Sequence, residues 1–99
     1  MQTSENPPPQ IKAVQITPER LAFELMDGRT ISVPLACYPT LLLASDEERA
    51  NYEIAYTSVY WPDLDCDIDA EALLRGAKER RAFAAKAYER AALRRGQAA

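Results

Sequence analysis

Histidine does not occur anywhere in these 99 residues. Its absence removes Ser-His and Cys-His nucleophile pairs, imidazole proton shuttles and the commonest ligand for transition metals. Cysteine is scarce. Cys37 and Cys66 stand far apart with no Cys-x-x-Cys pair, too little for a zinc site. They read either as one disulfide or as two idle thiols in a cytosolic protein. No apolar run approaches bilayer-spanning length, and residues 1–6 lack the basic-then-apolar pattern of a signal peptide. These absences predict a cytoplasmic protein with no membrane partner, no cofactor and no metal.

What is present is charge, unevenly placed. Residues 75–99 carry eight bases, from Arg75 to Arg95, against only Glu79 and Glu89, a net of +6; the whole chain is −3, which leaves −9 on residues 1–74. The length suits one small domain. It divides by composition into a flexible proline-rich leader (1–9), a body (10–76) and a basic, alanine-rich helical tail (77–99). Pro7-Pro8-Pro9 resists helix, and reads as a disordered lead-in or as a proline-rich ligand for an aromatic groove.

The body reads as β structure first. Residues 11–16 alternate loosely, with Val14 and Ile16 inward, and 17–20 form a turn around Pro18. Leu21, Phe23 and Leu25 alternate with Ala22, Glu24 and Met26, a strand with one apolar face. Asp27-Gly28 is a hairpin signal, and residues 30–33 return as a third strand that Pro34 stops. An apolar stretch interrupted by Pro39 follows, expected as a loop or helical turn with Leu41, Leu42 and Leu43 over the sheet. Ser45 and Glu48 have capping-box spacing for a short helix through Ala50. Residues 52–56 and 59–61 predict two further strands.

The second of these runs into Trp61-Pro62, where the ring removes an N–H and ends the strand. Trp61, the only tryptophan, is expected in the core. Asp63, Asp65 and Asp67 resemble the opening of a calcium loop. Ile68 stands where that loop needs glycine, though, and Leu74 where it needs glutamate. They therefore read as solvated turn acids, with Asp69 capping a helix from Ala70 to Arg75 that closes at Gly76. After Gly76 the tail predicts a helix over residues 77–95. Leu73, Ala77, Ala84, Tyr88 and Ala91 lie along one stripe, with Phe83 and Ala87 beside it. Such a stripe is thin for a core. It can lie on the chain's own acidic body or on a partner, with Arg80, Arg81, Phe83, Ala84, Ala87, Tyr88 and Arg95 as the contact residues. Nucleic-acid binding fits less well, because the body would repel phosphate.

Several motifs together resemble a bacterial family of unknown function, DUF2442. They are Asp27-Gly28-Arg29-Thr30-Ile31-Ser32-Val33-Pro34-Leu35, then Glu48-Arg49-Ala50-Asn51-Tyr52-Glu53, then Trp61-Pro62-Asp63-Leu64-Asp65 with Asp67-Ile68, and Leu73-Leu74-Arg75-Gly76. They span about residues 10–76, in order. Thr57-Ser58 stands where the family is often glycine-rich, Tyr60 where it often has histidine, and Asp69 where it has serine. The resemblance implies a small α+β domain, a meander of about five antiparallel strands with short flanking helices, to which the tail adds a C-terminal helix. It also implies a protein found alone, in toxin–antitoxin-like gene pairs, or fused to helix-turn-helix domains. Three function classes follow. The first is a non-enzymatic protein-interaction module, such as the antitoxin-like partner in a small bacterial or phage gene pair. The second is a transcription-regulator-associated domain whose basic tail meets nucleic acid. The third is a carboxylate enzyme using Asp63 and Asp65, which would need a cleft that perturbs them.

Overall fold

The computed structural model describes residues 8–76 and 78–98. Most of the leader, residues 1–7, lies outside them, as does Ala77 at the start of the expected tail helix. The architecture is α+β. Six strands form two three-stranded antiparallel sheets, ordered β1-β2-β3 and β4-β5-β6, in place of one meander of about five.

The first sheet is β1 (Ile11–Ile16), β2 (Arg20–Leu25) and β3 (Thr30–Pro34). Leu21, Phe23 and Leu25 are all buried, so the alternating pattern sets the inward face. Val14 pairs with Phe23 and Ile16 with Leu21, but Ile11 pairs with Leu25 only because Lys12 is an extra, bulged residue. Without that bulge Ile11 would point away from the core that Val14 and Ile16 face. The β2–β3 turn closes through the Gly28 N–H to the Leu25 carbonyl at 3.0 Å, with Gly28 at φ +96°, an angle that glycine adopts without strain.

Leu35 opens a single 3-10 turn, and Pro39 then starts α1 (Pro39–Leu42), where its missing N–H costs nothing. Leu35 and Leu41 are fully buried there. Helix α2 (Asp46–Ala50) carries the expected capping box: Ser45 Oγ accepts from the Glu48 N–H, and Glu48 Oε1 accepts from the Ser45 N–H at 2.8 Å. This helical segment separates the sheets in sequence. They are rejoined by the Ile11 N–H donating to the Tyr56 carbonyl at 2.7 Å.

The second sheet is β4 (Glu53–Ala55), β5 (Ser58–Trp61) and β6 (Cys66–Asp69). The acidic run is therefore not all turn. Pro62–Leu64 form a 3-10 turn and Asp65 sits left-handed at φ +49°, but Cys66–Asp69 pair with β5 as a strand. The reason is period two: Cys66 and Ile68 are buried, while Asp67 between them is exposed. Asp69 then caps α3 (Ala70–Leu74), accepting from the Ala72 N–H at 3.1 Å.

The tail helix α4 spans Arg81–Ala98, starting and ending later than the expected 77–95. Lys78, Glu79 and Arg80 precede it as irregular chain because Glu79 is tied down elsewhere: its N–H donates to the Cys37 carbonyl, and its carboxylate accepts from the Thr40 N–H at 2.8 Å. Helix α4 then packs against α1, burying Ala87 and Ala91. Among the described residues no helix is long and apolar enough to cross a membrane.

Candidate functional site

Two features were singled out by sequence, the Trp61–Asp69 run and the basic tail, and the fold brings parts of them together. Between β6 and the N-terminal half of α4 lies a cleft of about 630 Å³. It is lined by Leu64 to Asp69 on the strand side, by Tyr38 and Thr40, and across from the strand by Lys78 and Arg80 of the chain before α4 and by Phe83, Lys86 and Arg90 of the helix. Phe83, Lys86 and Arg90 share a face because their spacings are three and four residues. Strand acids and the bases across from the strand thus border one cleft.

The strand wall is built by hairpin logic. Pro62 starts the 3-10 turn, left-handed Asp65 reverses the chain, and β6 returns with Trp61 opposite Cys66 and Tyr60 opposite Asp67. The Ala70 N–H donates to the Thr57 carbonyl at 2.8 Å, which identifies the hydrogen-bonded phase of the β5–β6 ladder. In that phase the main-chain groups of Cys66 and Ile68 turn toward β5, and those of Asp67 turn away, to the open edge. Among the described residues no strand pairs with that edge.

The signature residues divide. Trp61 is fully buried, its indole N–H donating to the Arg49 carbonyl at 3.0 Å and its ring 6.0 Å from that of Tyr52. Arg49 in turn donates from its guanidinium to the carbonyls of Leu41 and Leu42, closing the end of α1. Trp61 is therefore a packing and anchoring residue. Pro62 is exposed, and Asp63 accepts from the Asn51 side-chain amide at 2.9 Å, outside the cleft. Asp65, Asp67 and Asp69 line it. Asp69 is committed to its helix cap. Among the described residues, no group of three or more Asp, Glu or Cys side chains has a metal-holding arrangement.

The tail residues divide too. Arg80 and Phe83 line the cleft. Ala84 is half-buried and Ala87 buried on the seam with α1, so these two meet the chain's own body. Arg81, Tyr88 and Arg95 point to solvent. Sequence reasoning passed over Thr40, Lys78, Glu79, Lys86, Arg90 and Arg94. For Lys86 and Arg90 the helical spacing from Phe83 is a usable signal; for Thr40 and Glu79, joined across 39 positions, there is none.

Burial pushes the Cys66 thiol up to about 12, with the negative fields of Glu79 and Asp67 adding to the shift. It is protonated at neutral pH and a poor nucleophile. Burial raises the Tyr38 phenol as well. The cleft offers hydrogen-bonding edges and fixed charge.

A model for the protein family of unknown function DUF2442 matches residues 11–79. No curated protein matches the chain. Among solved structures, a protein of unknown function from Rhodospirillum rubrum is similar at 24% identity and a TM-score of 0.63, covering 77% of this chain and 96% of its own. An uncharacterised protein from Chromobacterium violaceum, solved by NMR, is similar at 21% identity and a TM-score of 0.62, covering 78% of this chain and 74% of its own. Both likenesses are of fold.

Proposed function

This chain belongs to the DUF2442 family, and from that premise we propose that it is a non-enzymatic protein-interaction module, the antitoxin-like half of a two-protein pair. The observation that carries this reading is the surface of α4. The helix is held to the body by a narrow seam, Ala87 and Ala91 plus Arg94, which donates to the Leu43 carbonyl and pairs with Glu48 at 3.1 Å. Away from that seam Phe83, Tyr88 and Leu93 remain 44%, 57% and 66% exposed among bases. Aromatic and long apolar side chains left in water on a charged helix are the usual anchors of a partner surface. The protonated thiol and the absence of histidine support the non-enzymatic part of the reading.

The test is co-expression with the protein encoded beside it, followed by sizing of the complex. A one-to-one complex that Tyr88→Glu with Leu93→Glu abolishes, at unchanged melting temperature, is the expected result. No complex, and a monomer at all concentrations, overturns the reading. Steeply salt-dependent binding to DNA through Arg81 and Arg95 would assign the tail to nucleic acid instead.

A further inference from the structure

We propose that the open edge of β6 accepts an extended acidic segment of a partner protein as an added strand, with Lys86 and Arg90 of α4 binding its carboxylates. This rests on the interaction reading and adds a second point of contact to the exposed Tyr88 and Leu93. Three observations carry it. The Asp67 main-chain N–H and C=O turn to the open edge of β6 with no partner among the described residues, and Asp67 lines the cleft, the arrangement that strand addition completes. The cleft is long enough to run beside the whole strand, from Leu64 to Asp69. Its opposite wall carries Lys78, Arg80, Lys86 and Arg90, none of which forms an ion pair among the described residues.

The geometry also selects the occupant. Cys66 and Ile68 line the cleft with Lys86 and Arg90, and α4 packs against α1, whose Leu41 shares one buried cluster with Cys66 and Ile68, so the basic wall lies on the Cys66 and Ile68 side of the strand. Side chains of an added strand alternate between faces. Those turned toward α4 meet the free cations and favour carboxylates; those on the other side meet Asp67 and favour neutral or basic groups. A second copy of this chain is a poor occupant. Pairing β6 with itself would set Asp67 and its neighbours against the same acids, and like charges across a ladder destabilise it. The occupant is thus a different protein, presenting an extended segment with acids at every second position.

The experiment titrates the full chain with two capped peptides of alternating threonine and glutamate. They are identical except that one carries N-methyl groups on the amides that would face β6. The plain peptide is expected to shift and protect the Asp67 and Asp69 amides in NMR spectra. The methylated peptide should fail to bind, and Lys86→Glu with Arg90→Glu should weaken binding about tenfold or more. Because the methylated peptide leaves the protein untouched, this comparison holds even where the charge-reversed chain folds poorly. Equal binding of both peptides overturns strand addition. Shifts confined to Tyr88 and Leu93 overturn the cleft as the site while leaving the interaction reading standing. No binding of the plain peptide at millimolar concentration overturns the cleft assignment alone, since the paired-protein complex tests the wider reading separately.

Discussion

Trp61 links β5 to the end of α2 and, through Arg49, to α1. It fills the space at the end of β5, and its N–H holds the Arg49 carbonyl while Arg49 holds the end of α1. Trp61→Ala should cost about 3–5 kcal/mol, much of a small domain's stability; urea unfolding followed by far-UV circular dichroism checks this. A loss below 1 kcal/mol would mean that the indole is not packed as described. Cys66 gives a pH prediction. Its folded pKa of about 12 lies above the ordinary 9.0. The unfolded chain therefore releases this proton first as pH rises, and the native state holds it longer. Stability from this group is complete below pH 9 and is lost between about 9 and 12. Cys66→Ala should flatten that part of the stability–pH curve, to which Tyr38, whose phenol burial also raises, contributes as well. Thermal melts across the alkaline range provide the measurement.

At the level of elements, the hairpins and caps are locally determined and α4 is not. An alanine-rich helix of this length is marginal alone, and α4 gains order from its seam on α1. That seam buries two small side chains and the Arg94 contacts, against which stands the entropy of ordering the helix. Ending the chain after Arg80 keeps the Glu79 bonds to Cys37 and Thr40 and removes the seam. The two sheets should stay folded, with the Trp61 near-UV signal intact and a loss of about 1–2 kcal/mol. Ending it after Gly76 also strips Glu79 from the Thr40 N–H, which is largely buried, and should cost more. If the chain ending at Arg80 does not fold, α4 is part of the core rather than a presented surface.

The whole molecule is an acidic body with a basic arm folded onto it. The −9 of residues 1–74 attracts the +6 of residues 75–99, but the contacts across the seam are half-exposed and screened by salt. Amide exchange should rank the parts accordingly: slowest in β2, whose Leu21 and Phe23 are fully buried, and fastest in α4 beyond Ala91. Raising ionic strength should speed exchange in α4 while leaving β2 unchanged. Uniform exchange across both would show one cooperative unit, and would remove the basis for treating the arm as separable.

Sequence alone settled the features that depend on neighbours in the chain. The Asp27-Gly28 hairpin, the Ser45–Glu48 box, the Asp69 cap and the inward face of β2 follow from residues at most three positions apart, and the charge division from composition alone. The family resemblance added the α+β class. Tertiary structure decided the rest. The acids around Cys66 and Ile68 obscured the period-two signal of β6, and only its pairing with β5 separates strand from turn. The division into two sheets depends on how residues 35–50 pack, which no local rule specifies. The cleft gathers Thr40, the β6 edge, Glu79 and Arg90, and the ties that hold it join residues 39 and 51 positions apart. Contacts at that range arise from burial of whole elements against one another, so their residues leave no period in the sequence to read.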